Sequence, residues 1–282
     1  MVKKNIRKKN LGFFSKSIFF CNIIAVLFLL MSYAASFINP RTFWPLAFFG
    51  LGYLPILLVN IGFVIYWILR KPSFALFTLL PVLLGWKRRT RHWNLRSASE
   101  QKPTKDSSDI RVMSFNAHLF QTLDKGSNDD FKEQTLEVIN EVNPDIVCFQ
   151  EFYTKIKGTK KFSEKILLGS EFQDYYFEPA TKNKHEGYGQ AIFSKFPIVN
   201  SGTIKKNEFG INRIIYADIL KDGDTIRVYN VHLRSFALQN EDKSFIQNPS
   251  ANTKEDEQAT RRVSRKLKDA FTQRSNQAAS LR

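Results

Sequence analysis

Four polar side chains stand where short apolar or alternating runs end. Asn116 closes Val112-Met113-Ser114-Phe115, Glu151 follows Ile146-Val147-Cys148-Phe149-Gln150, Ser194 closes Gln190-Ala191-Ile192-Phe193, and His232 lies in Tyr229-Asn230-Val231-His232-Leu233. A carboxylate carried by a water-poor strand needs a partner, because desolvation alone raises its pKa or costs stability. A hard divalent cation is one such partner, and magnesium takes one or two carboxylates and leaves its other positions to water and substrate phosphate. Glu151 with Asn116 fits that sparse pattern, with Mg²⁺ as the expected ion and Mn²⁺ as its substitute. The ordinary alternative is a loop glutamate and a turn asparagine that ends a strand. His232 follows an alternating strand, where an imidazole can contact a phosphoryl oxygen or donate a proton; such a histidine is also commonly satisfied by backbone. His92 in a basic run and His185 in a charged loop are poorer candidates, whereas His118, two residues beyond Asn116, is a further candidate for a place near such a site. No Walker loop, zinc-ligand spacing, nucleophile elbow or dinucleotide fingerprint occurs in the sequence, which argues against those chemistries.

Strands and helices must deliver these groups. Ile110 to Phe115 is a compact β-prone run, and Asp130 to Val142 places Phe131, Val138, Ile139 and Val142 on one helical face until Pro144 stops it. Ile146 to Phe149 then reads as a strand buried on both faces. Further strands are expected at Tyr175–Phe177, Gln190–Ser194, Ile198–Ile204, Arg213–Leu220 and Thr225–Leu233. The last two should form a hairpin through Asp222-Gly223, a pair suited to tight turns. Gln239 to Glu257 reads as a polar loop, and Ala259, Val263, Leu267, Ala270, Phe271 and Ala278 recur at helical spacing behind it. Strands with helices laid against them give an α/β or α+β sandwich as the expected fold class.

At these residues the sequence resembles the endonuclease/exonuclease/phosphatase family, which includes DNase I-like nucleases, sphingomyelinases and inositol-polyphosphate phosphatases. Val112 to Asn116 is similar to the family's first strand, whose terminal Asn lies beside the metal. Pro144 to Glu151 is the most specific match, to the motif whose Glu is the principal Mg²⁺ ligand. Gly189 to Ile198 resembles a chiefly structural strand, and Asn230-Val231-His232-Leu233 the motif whose His bonds the scissile phosphate, with Arg234 and Ser235 continuing it. The resemblance covers about Ile110 to Leu281. It implies a DNase I-like two-sheet core with flanking helices and a Mg²⁺-dependent phosphoesterase. Glu151 and Asn116 would be its metal ligands, Asn116 and His232 its catalytic residues, and His232, Arg234 and Ser194 its substrate contacts.

Two further family motifs, Gly-Asp-x-Asn and Ser-Asp-His, have no match before the sequence ends at Arg282. The resemblance assigns them the groups that position the nucleophilic water and act as general base. A chain without them is expected to bind metal and phosphate with most of the rate lost, since acid–base assistance is worth about 10²- to 10⁴-fold. A core left open at its C-terminal end, an exposed strand edge and a shortened reading frame are the matching expectations.

Charge and hydropathy separate the first hundred residues from the rest. The 282 residues carry a net charge of +16, yet Met1 to Ser99 contain no acidic residue while residues 101–282 hold 28 basic and 25 acidic ones. The basic excess therefore flanks apolar runs, and the near-neutral remainder gives no strong evidence for nucleic acid as a partner. Ile18 to Phe37 and Phe43 to Leu69 are each long enough to cross a bilayer, and Ser73 to Trp86 is shorter. The expected organisation is a membrane anchor over 1–99, a linker over 100–109 and the sandwich over 110–282. A cleaved signal peptide is the alternative for the first run. With two spans, Lys and Arg gather before the first and after the second, with Arg41 alone between them. The expectation is therefore a multi-pass protein of a bacterial inner membrane with its soluble domain in the cytoplasm. A third crossing at 73–86 would put it on the opposite side. Cys21 and Cys148 cannot make a disulfide framework. Expected partners are thus the lipid bilayer and a phosphorylated substrate; the rival to an enzyme is a non-catalytic, membrane-bound remnant that holds a phosphorylated ligand.

Overall fold

The apolar runs of the N-terminal region form helices in the computed structural model, which describes residues 12–85, 106, 108–120, 128–157, 161–206 and 212–281. The expected linker falls largely outside the described residues, as do His92, Trp86, Trp93 and the basic cluster Lys87 to Arg96. Contacts divide the chain into a helical unit, Met1–Gln101 with Leu267–Ser275, and an α/β unit, Lys102–Lys266 with Asn276–Arg282.

In the helical unit α1 (Phe13–Ala34), α2 (Pro45–Leu51), α3 (Tyr53–Arg70) and α4 (Pro72–Leu84) follow one another. The first expected span starts earlier and ends earlier than its apolar run, at Phe13 and Ala34. The second is not one helix: the chain breaks at Gly52 between α2 and α3. Pro55 explains the placement, because its missing N–H is harmless only in a first helical turn, where that donor has no intrahelical acceptor. By length and composition α1 and α3 are able to cross a bilayer, whereas α4 has 13 residues. At 1.5 Å per residue α4 rises only about 20 Å against a hydrocarbon core of about 30 Å.

The helices are joined by polar as well as apolar contacts. Leu29, Tyr53 and Leu57 form a buried cluster. The fully buried Asn22 accepts hydrogen bonds from Trp67 Nε1 and Thr78 Oγ1, each 2.8 Å, which links α1 to α3 and α4. Asn60, equally buried, donates from α3 to Ala25 O at 3.0 Å.

The α/β unit is built from two sheets. Strand β1 (Val112–Asn116) pairs in parallel with β2 (Ile146–Lys155), the crossover being α5 (Asn128–Val142). After α6 (Phe162–Gly169), β3 (Asp174–Lys182) and β4 (Glu186–Ser194) complete a four-stranded sheet of order β1-β2-β4-β3. The second sheet is antiparallel, β5 (Ile198–Lys206), β6 (Arg213–Lys221) and β7 (Asp224–Val231) in that order. Asp222 and Gly223 turn the β6–β7 hairpin with φ of 54° and 88°, the left-handed values of a two-residue type I′ loop.

Alternation along β2 fills two cores. Val147 and Phe149 join Phe120, Ile139, Phe162, Ile166 and Phe193 beneath the helices, while Ile146 and Cys148 meet Ile192, Ile215, Ala217 and Ile219 between the sheets. Burial without a partner pushes the Cys148 thiol up to about 12, so it behaves as a small core residue. The expected polar loop at Gln239–Glu257 contains α7 (Asn240–Gln247), and the last helix, α8, runs Lys254–Ala279. The α7 segment folds because Asp242, fully buried, caps its first turn and accepts from Arg262 and Lys266 of α8 at 2.8 and 2.6 Å.

Candidate active site

Asn116 and Glu151 meet because β1 and β2 run parallel in a register that puts Asn116 beside Gln150. Beyond that pair β2 is irregular. Its pairing with β4 skips from Phe149 to Phe152, and Glu151 takes φ 50°. The left-handed conformation costs a non-glycine residue of order 1 kcal/mol or more, and such outliers gather where a side chain must be aimed. Gly189, opposite Phe152, lets β3 approach closely on its other side: a Cβ there would stand 2.0 Å from Glu178 O.

The loop after β1 is similarly wound. His118, Leu119 and Phe120 have φ of 46°, 58° and 55°, and Asn116 Oδ1 accepts the His118 N–H at 3.0 Å. The turn drives Phe120 into the helix-side core and leaves the His118 ring exposed beside Glu151. His118 Nδ1 lies 3.2 Å from Glu151 Oε2. His232, just past β7, is held through its N–H to Arg213 O at 3.0 Å, and its Nε2 lies 3.5 Å from Glu151 Oε1. Glu151 thus has an imidazole at each oxygen and keeps 18% of its side chain accessible.

Beneath these groups lies a polar layer between the sheets. Asn230 and Gln150 bond each other, buried Gln190 donates to Arg213 O at 2.7 Å, and the Arg213 guanidinium binds Glu178 at 2.7 Å and the carbonyls of Pro179 and Ala180. This layer carries the second sheet's residues to the first sheet's edge.

Asn116, Glu151 and His232 are therefore neighbours in space, with His118 added to them. Ser194 is not among them. It pairs with Ile146 at the opposite end of β2, five residues or about 17 Å of strand from Glu151. It is fully buried and its Oγ accepts from Phe196 N at 3.0 Å, so it closes the turn into β5 rather than meeting a substrate. Arg234 is half-buried, with its backbone N–H bound to Gln277 Oε1 at 2.8 Å. His185 sits exposed at the β3–β4 turn.

The donor set suits a hard divalent cation held sparsely. A carboxylate and an amide oxygen at adjacent strand ends are hard ligands, and among the described residues no group of three or more His, Cys, Asp or Glu side chains is arranged to enclose an ion. The described residues thus form no closed zinc-type cage, and they fit a site that leaves most positions to water and phosphate.

Comparison with known proteins agrees with this architecture. Residues 92–279 match the family model described as Endonuclease/Exonuclease/phosphatase family. The chain belongs to this family. Residues 15–92 match a domain of unknown function (DUF8431). Solved structures similar to the chain include an endonuclease/exonuclease/phosphatase family protein from Leptotrichia buccalis C-1013-b, at 16% identity over 51% of this chain and 64% of that one, TM-score 0.35. Another, from Beutenbergia cavernae DSM 12333, is 17% identical over 49% of this chain and 42% of that one, TM-score 0.36. A beta toxin from Staphylococcus aureus is 16% identical over 55% of this chain and 71% of that one, TM-score 0.32. The chain thus spans less than two thirds of the length of the first two of these family structures. No curated protein matches it.

Proposed function

We propose that the chain is a membrane-anchored, divalent-metal-dependent phosphoesterase that hydrolyses a phosphodiester or phosphomonoester. The observation that carries this reading is Glu151, turned out of β2 by an irregularity, beside Asn116 and between two imidazoles. Glu151 and Asn116 would hold Mg²⁺, or Mn²⁺ in its place. A cation bound there supplies Lewis acidity at a phosphoryl oxygen and makes water a better nucleophile. His232, whose ring is 11% exposed and backed by β6, orients the phosphate and donates a proton to it. His118, more open to solvent, contacts the substrate's outer oxygens. Arg234, two residues past His232, adds positive charge for the same anion.

The apolar helices α1 and α3 support anchoring in a lipid bilayer, and the 13-residue α4 favours two crossings with the phosphoesterase unit in the cytoplasm of a bacterial cell.

The test uses the full chain in lipid or detergent. Mn²⁺ binding is followed by electron paramagnetic resonance, and hydrolysis of bis(p-nitrophenyl) phosphate and p-nitrophenyl phosphate is measured with and without Mg²⁺. Glu151→Ala should abolish binding and any metal-dependent turnover. Equal Mn²⁺ affinity in the native chain and in Glu151→Ala would overturn the assignment.

A further inference from the structure

The carboxylate and the buried imidazole of the site belong to different sheets, so their separation depends on what ties β2 to β7. Asn230 is 1% exposed. Its Nδ2 donates to Phe149 O at 2.7 Å and to Ala191 O at 3.1 Å, and its Oδ1 accepts from Gln150 Nε2 at 2.7 Å. The same Gln150 amide lies 3.2 Å from both Ser114 Oγ and Cys148 O. One amide pair therefore connects β1, β2, β4 and β7.

Its place along the chain matters as much as its reach. Gln150 immediately precedes Glu151 inside the irregular stretch where the β2–β4 ladder is interrupted, and Asn230 precedes His232 by two residues. Backbone pairing is weakest there, so side-chain bonds must set the geometry. We propose that Gln150 and Asn230 are positioning residues, whose amide pair fixes Glu151 against His232 across the two sheets. The geometric claim stands on the contacts above; its consequence for cation binding rests on the proposed role of Glu151. An alternative, that the pair merely satisfies buried polar groups, predicts folded variants with an unaltered site.

The full chain holds four histidines, so ring-¹⁵N labelling gives few signals and His232→Gln identifies the one that matters. Gln150→Met keeps bulk and deletes the amide at a half-buried position, which carries the test if the more buried Asn230→Leu fails to fold. Ser194→Ala is the control for a structural lesion at the far end of β4. Gln150→Met should still melt cooperatively, should shift or broaden the His232 ring signals, and should weaken Mn²⁺ by about 10-fold or more, the usual effect of removing a residue that orients a ligand. Ser194→Ala should leave those signals in place. Unchanged His232 signals in folded Gln150→Met overturn the proposal, as does unchanged Mn²⁺ affinity when the native chain binds the ion. If the native chain binds no Mn²⁺ while the His232 signals still move in Gln150→Met, the metal reading falls and the positioning role stands.

Discussion

Replacing Gly189 by alanine tests how tightly the strands are drawn together beneath the site. The added Cβ would lie 2.0 Å from Glu178 O, 2.8 Å from Pro179 Cα and 2.9 Å from Ala180 N, whereas ordinary contact begins at 3.4 Å. Relief requires about 1.4 Å of movement against backbone. β3 is poorly placed to retreat, because Arg213 binds Glu178 Oε1 at 2.7 Å, Pro179 O at 2.9 Å and Ala180 O at 3.2 Å. Inserting a methyl group into packed structure typically costs about 1–3 kcal/mol, and a backbone overlap of this size belongs at the upper end. For a unit of roughly 150–250 residues each kcal/mol lowers the melting temperature by about 2–4 °C, so a fall of about 6–12 °C is expected. The assay is thermal melting of the full chain in detergent, followed by far-ultraviolet circular dichroism. Gly169→Ala serves as control, since a Cβ there meets nothing within 4 Å. Because Gly189 opposes Phe152, hydrogen exchange at the Phe152 and Ala191 amides should accelerate in Gly189→Ala. A melting point within about 2 °C of the native value would refute the argument from close approach.

Other perturbations have equally definite outcomes. The Arg227 guanidinium, with Nε 2.6 Å and Nη2 2.8 Å from Asp218, and a bond from Asn200 hold the Asp218 carboxyl at about 2 against an ordinary 3.8. A depressed folded-state value stabilises above the unfolded one, so this contribution should be complete above about pH 4 and lost towards pH 2; acid titration of Asp218→Asn should lack that component. Thr253 caps α8 by accepting the Asp256 N–H at 3.2 Å, and Thr253→Ala should cost about 1 kcal/mol in chemical denaturation with little change at the site. Asn22→Leu would strand the Trp67 and Thr78 donors inside the helical unit, each at a cost of about 1–3 kcal/mol, and should lower the melting point in micelles and alter tryptophan emission.

The sequence carried more of the sheets than of the site's geometry. β1, β4, β6 and β7 were legible because alternating or β-branched runs reach the core, and Asp222-Gly223 marked a turn that must take positive φ. The expected end of β2 fell short at Phe149, since Gln150 and Glu151 interrupt the apolar pattern although the strand continues to Lys155. α6 and α7 escaped notice for a different reason: eight residues give two turns, too few for periodicity, and α7 is held by a tertiary ion pair from Asp242 to α8. Family motifs pointed to Asn116, Glu151 and His232, and the same reasoning misplaced Ser194 because a motif does not say which end of a strand its residue occupies. The position of His118 two residues beyond Asn116 pointed to a place near the site, but nothing in the local sequence indicated that His118 to Phe120 would wind left-handed to bring its imidazole to Glu151.

Phe149 and Phe152 lie in one core although an odd number of steps separates them, which a regular strand forbids. The extra residue between them is therefore a phase correction. Deleting either Gln150 or Glu151 would leave the two phenylalanines an even two steps apart, so Phe152 would keep its place in the same core while the irregularity that turns Glu151 out of the strand would be lost. Substitutions at these two positions alter the chemistry carried by the bulge, whereas a one-residue deletion removes the bulge and leaves the core facing intact. The packing is thus indifferent to the extra residue, and it is the aim of Glu151 that depends on it.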